Sequence, residues 1–203
     1  MLQTPTPEVG SSNITMSSTA DFLYNPILDK ESDMKTETLE GLLVDELKDI
    51  YSAENQVLRA LPKIIEAAES NDLRQILEKQ FEETRHQAER IEQICTQLDV
   101  VLTNAKCAGM SGIVDESKGL IKSGIGPDLL NVALIGVAQR MEHYQIAAYG
   151  TARAHARQLG LMNTANLLGQ ILEEEKNSDH QLTDLAENRI NVQAAMRQDS
   201  LVI

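Results

Sequence analysis

Four glutamates stand where leucines belong. From residue 38 onward the chain resolves into four long stretches whose apolar side chains recur every three or four positions. Each stripe is broken by a carboxylate: Glu54, Glu83, Glu142 and Glu175. The spacing is that of amphipathic helices. An ionised carboxylate buried without a partner costs several kcal/mol or more. One per helix points to positive charge at the centre of a bundle, and a pair of metal ions would supply it. The opposing reading makes these glutamates boundary residues paired with Arg59, Arg140 or Arg153.

The first helix is predicted over Thr38–Glu69, with Thr38 as N-cap and the stripe Leu43, Leu47, Ile50, Glu54, Val57, Leu61, Ile64. Pro62 lies inside it and is expected to kink the rod. Ser70-Asn71-Asp72 makes a tight turn into a second helix over 72–99, so these two are antiparallel neighbours. A third long helix starts with Pro127 at its first position and runs to Leu159, with Gly160 just past its end. The fourth covers 163–190, with Asn163 a candidate cap. Residues 100–126 form the longest connection, with a short helix near 110–122 and enough length to cross the bundle end to end. Two hairpins joined by one long crossover is the ferritin-like four-helix bundle. Residues 1–37, rich in Ser, Thr and Pro, are expected to form a disordered tail, and 191–203 a C-terminal one.

Aromatic residues are 3% of the chain and Trp is absent, which favours helix over sheet. A formal net charge of −13 repels phosphate backbones and anionic membranes, so neither nucleic acid nor membrane is an expected partner. No apolar run approaches the ~18–20 residues of a membrane-spanning helix. The N-terminus carries no signal-peptide pattern, and Cys95 and Cys107 fit no metal or redox spacing. A cytoplasmic protein with reduced thiols is the expectation.

Carboxylate ligands favour iron, manganese or magnesium over zinc and copper, which prefer imidazole and thiolate. Two divalent ions are therefore expected, iron first and manganese second. Two metals ~3.5–4 Å apart can share the electrons that reduce O2 or H2O2. Glu83-x-x-His86 matches the Glu-x-x-His spacing of such bundles literally. Periodicity, however, puts His86 with Lys79, Glu82 and Glu89 on a polar face and Gln87 on the stripe, so both stay as candidate ligands. Glu175 and Asp179 sit at i,i+4 and can both point inward, whereas Glu173 and Glu174 read as surface charge.

Four stretches carry a resemblance: TLEGLLVDELKDIYSAENQVLRALP (Thr38–Pro62), FEETRHQAERI (Phe81–Ile91), QRMEHYQIAAYGT (Gln139–Thr151) and, more loosely, LEEEKNSDHQLTDL (Leu172–Leu185). They resemble the YciE/YciF family of ferritin-like bacterial stress proteins over about residues 38–190. The resemblance implies a ferritin-like bundle, a homodimer, a cytoplasmic setting and ferroxidase-like chemistry. It implies carboxylate ligands at Glu54, Glu83, Glu142, Glu175 and Asp179. The family pattern EHYEIAAYG reads EHYQIAAYG here, with Gln145 in place of the second glutamate. Gln145 can still ligate through oxygen but adds no charge. The alternative function is a non-enzymatic helical stress protein acting through dimerisation or partner binding.

Overall fold

The computed structural model describes residues 37–103 and 105–200, so all but the last position of the expected N-terminal tail lies outside the described residues. The described residues are helical throughout, joined by turns and one longer connection. The elements are α1 (Leu39–Ala67), α2 (Asn71–Gln97), α3 (Ala108–Ile121), α4 (Pro127–Gln158), α5 (Met162–Leu185), one wide π-helical turn (Ala186–Ile190) and α6 (Asn191–Ser200).

Local chemistry sets most of these ends. Thr38 Oγ1 accepts the Gly41 N–H at 3.0 Å and opens α1. Pro62 is carried inside that helix, which continues to Ala67. Ser70 Oγ accepts the Leu73 N–H at 3.3 Å and opens α2. Gly160, at φ +76, ends α4 in the left-handed conformation that a side chain disfavours. Asn163 does not cap α5; that helix starts at Met162, with Leu161 in the cap position and no side-chain cap bond.

The long helices close a ring. α1 lies against α2 and α4, and α5 lies against α2 and α4. Their directions follow from two separate apolar clusters. One contains Leu47 and Ile50 of α1, Ile91 and Ile94 of α2, Ala152 of α4 and Leu168 of α5. The other contains Leu61 and Ile64 of α1, Leu73 and Leu77 of α2, Leu134 and Met141 of α4, and Leu182 and Leu185 of α5. α1 and α5 thus run from the first cluster to the second, and α2 and α4 run back. Every neighbour in the ring is antiparallel. Because α2 and α4 are parallel, the chain between them must travel the length of the bundle, as its length implied. α3 lies on that path and packs on α1 and α4, with Met110 and Val114 in the second cluster.

Sequence periodicity predicts a last helix that ends at residue 190, with a tail beyond it. Instead helix continues to Ser200. The reason is apolar: Ile190 and Ala194 are buried and α6 packs on α4. The π turn shifts the register between α5 and this last segment.

Candidate metal centre

Between the two apolar clusters lies a layer of buried polar side chains. α1 contributes Glu54, α2 Gln80, Thr84 and Gln87, α4 Glu142 and Gln145, and α5 Glu175 and Ser178. Each sits on its stripe between a residue of one cluster and a residue of the other, as Glu54 sits between Ile50 and Val57. The same 3.6-residue periodicity that turns leucines inward therefore turns these groups inward at one level.

Glu54 is fully enclosed. Gln145 Nε2 donates to both its oxygens at 2.9 Å, and the Tyr149 hydroxyl donates to Oε1 at 2.6 Å. Burial pushes its carboxyl up to about 7, against the opposing pull of the Tyr149 and Gln145 hydrogen bonds. Glu142 accepts from Ser178 Oγ at 2.8 Å. Burial raises the Glu142 carboxyl, while hydrogen bonds from Glu175 and Ser178 oppose the rise. Glu175 is raised well above the ordinary range, by burial first, then by its hydrogen bond to Glu142 and the charge of Glu142. Burial and their facing charges favour the protonated form of both, so the two can share a proton. None of the three is clamped by Arg59, Arg140 or Arg153; Arg140 instead lies 3.5 Å from Glu116 on the surface.

The other candidate ligands stand around this core. Glu83 is partly exposed and pairs with Lys79 at 3.0 Å, although its charge still raises Glu142. Asp179 accepts from Gln139 Nε2 at 3.3 Å, lies 3.8 Å from His143 Nδ1 and likewise raises Glu142. Gln87 donates to Glu174 at 3.3 Å and leaves its oxygen buried without a partner. His86 is outside the layer, with 58% of its side chain exposed and Nδ1 3.4 Å from Glu89.

Sequence reasoning missed two contributors. Tyr149 lies on the α4 stripe one turn past Gln145, a position that the stripe's own period marks. Glu174 is not plain surface charge: it receives Arg90 in a two-pronged ion pair, with Nη1 to Oε1 at 2.9 Å, as well as Gln87. That pair closes α2 onto α5 beside the layer.

The donor set suits a hard cation. Gln87 Oε1 and Gln145 Oε1 are buried oxygens with no hydrogen-bond partner, and Glu142 Oε2 and Glu175 Oε1 have none beyond the proton that the two acids can share. Orphaned buried acceptors are costly, and a divalent ion is one way to satisfy them. Among the described residues, no three His, Cys, Asp or Glu side chains are placed to grip one ion together as they stand. Binding would thus require rotation of Glu142 or Glu175 after loss of their shared proton.

Fold and layer together define a class: an all-helical bundle protein with a buried carboxylate and amide centre. Residues 38–195 match the family described as a domain of unknown function, DUF892, and the chain belongs to that family. It is 41% identical over 162 residues to Protein YciF of Escherichia coli K12, covering 79% of this chain and 98% of that one. The crystal structure of the E. coli stress protein YciF superposes with a TM-score of 0.73 over 76% of this chain and 98% of that chain. YcfI of Rhodopseudomonas palustris, described as a putative structural protein, is 36% identical, with a TM-score of 0.71 over 75% of this chain and 97% of its own. A Xanthomonas campestris protein at 21% identity shares the fold, with a TM-score of 0.62 over 79% of this chain and 98% of its own. Among the described residues no helix is long and apolar enough to cross a membrane.

Proposed function

We propose that this chain is a stress-response protein whose buried layer binds divalent metal, a pair of iron ions first and manganese second. The observation that carries the reading is the set of buried oxygens on Gln87, Glu142, Gln145 and Glu175 that no other side chain satisfies save the Glu142–Glu175 pair itself, brought to one level by three helices. Glu54, Glu142 and Glu175 would hold the metal, with Gln145 and Gln87 as neutral oxygen donors and Glu83 and Asp179 at the rim. Tyr149 orients Glu54 and Ser178 orients Glu142. The proton that Glu142 and Glu175 can share would have to leave before both carboxylates ligate. The apolar clusters above and below exclude water. Bound iron would supply one-electron chemistry toward O2 or H2O2. A cytoplasmic homodimer, implied by the resemblance, belongs to the same proposal.

Anaerobic equilibrium dialysis against Fe(II) and Mn(II), read by elemental analysis, tests it. Near-stoichiometric uptake by the wild type and at least a tenfold loss in Glu142→Gln/Glu175→Gln is expected; equal uptake by both overturns it. A second reading has its own support. Gln145 and Tyr149 already satisfy Glu54, and one relative is described as a putative structural protein. On that reading the layer only fixes helix register, and wild-type protein takes up no metal.

A further inference from the structure

The strongest feature that the metal reading leaves unused is a cationic recess on this acidic molecule. A cleft of about 460 Å³ opens between α1 and the connection leading to α3, lined by Tyr51, Ser52, Asn55, Arg59, Thr103 and Lys106. A second cleft of about 270 Å³ shares Arg59 and Lys106 with it and adds Lys63, Ser111 and Lys118. No acidic residue lines either one. Lys118 is paired with Asp115 at 2.7 Å, but among the described residues Arg59, Lys63 and Lys106 have no hydrogen bond or salt bridge. Elsewhere among the described residues Lys79, Arg85, Arg90, Lys176 and Arg189 each hold a carboxylate.

We propose that these adjoining clefts bind a small soluble anion bearing phosphate, of the size of inorganic diphosphate. Arg59, Lys63 and Lys106 line these clefts with only the nearby charge of Asp115 acting on Lys106, and an anion would offset their mutual repulsion. Arg59 offers the planar fork that matches phosphate oxygens, and Lys106 and Lys63 offer point charges. The hydroxyls of Ser52 and Thr103 and the amide of Asn55 add neutral donors. A combined space of this size is that of a small-molecule site.

The backbone beside the recess is fixed. Cys107 is fastened at three atoms: its N–H donates to Ser52 Oγ at 2.9 Å, its carbonyl accepts from Gln56 Nε2 at 3.0 Å, and its Sγ lies 3.0 Å from the Tyr144 hydroxyl. The backbone of the neighbouring Lys106 is therefore held against α1, where its side chain lines the same clefts as Arg59. An anion arriving there has to order only the exposed side chains of Arg59, Lys63 and Lys106, because the backbone that carries them is already fixed.

The test is a titration of the full chain, 15N-labelled, with inorganic diphosphate at constant ionic strength. Saturable amide shifts centred on Arg59, Lys106 and Ser111 are expected. Arg59→Gln/Lys106→Gln is expected to weaken binding at least tenfold without changing helical content, and Lys176→Gln to leave it unchanged. No saturable shift, shifts centred elsewhere, or equal affinity in the double variant overturns the proposal. Vesicles of anionic phospholipid form a second arm. Cosedimentation with vesicles in the absence of diphosphate binding also overturns it, because the ligand would then be a membrane surface.

Discussion

Gln145 donates its side-chain amide to both carboxylate oxygens of Glu54, 2.9 Å from each, across the contact between α1 and α4. The glutamine stands where the resemblance implies a second glutamate. It supplies a donor that a glutamate could offer only when protonated, and so keeps Glu54 in place with one fewer negative charge in the layer.

Gln145→Glu replaces that donor with a second buried acid beside Glu54. Without metal, urea unfolding at pH 7.5 is expected to show a loss of about 2–4 kcal/mol, the cost of a broken buried hydrogen bond plus an unpaired acid. Mn(II) is expected to restore more stability in the variant than it adds to the wild type.

Glu54, pushed up to about 7, and Glu142 and Glu175, both raised, keep their protons in the folded chain where the unfolded chain has lost them. The folded state thus binds more protons above the ordinary carboxylate value of 4.5. Their contribution is fully present below that value; the Glu54 part is lost as pH rises through about 7, and the Glu142 and Glu175 parts as pH rises through their own raised values. In chelator, urea midpoints are expected to fall steadily as pH rises above the ordinary carboxylate value of 4.5. Glu142→Gln/Glu175→Gln is expected to flatten the fall, which separates these groups from general surface repulsion.

Tyr149→Phe removes the hydroxyl that donates to Glu54 at 2.6 Å and leaves the ring in the apolar cluster. A loss of about 1–3 kcal/mol is expected, the usual cost of an abandoned buried partner. Far-ultraviolet circular dichroism is expected to stay unchanged.

Asn131 tests the scaffold apart from the centre. Its Oδ1 accepts the backbone N–H groups of Glu69 at 3.0 Å and Ser70 at 3.2 Å, tying α4 to the turn between α1 and α2. Asn131→Ala is expected to cost about 1–3 kcal/mol in urea unfolding, with metal uptake per folded chain unchanged.

The helices, their order and the crossover were legible because leucine and isoleucine repeat with the helical period and because Pro127 and Gly160 punctuate one helix at both ends. Glu54, Glu142 and Glu175 were legible for the same reason. Residues at the margins of a stripe were not. A rotation of a few tens of degrees about a helix axis decides whether Glu83 faces the centre or Lys79, and only packing fixes that rotation. Glu174 read as surface charge because its partners Arg90 and Gln87 lie on another helix, out of reach of any local pattern. The continuation beyond residue 190 was missed because the π turn breaks the period at the point where Ile190 and Ala194 go inward.

The most direct measurement is an anomalous difference map from a crystal soaked in Mn(II) near pH 7.5. Expected are peaks inside the bundle, bounded by Glu54, Glu142 and Glu175. Density confined to surface carboxylates, or an unchanged Glu142–Glu175 pair with no interior peak, would contradict metal binding and leave the layer as a device for helix register.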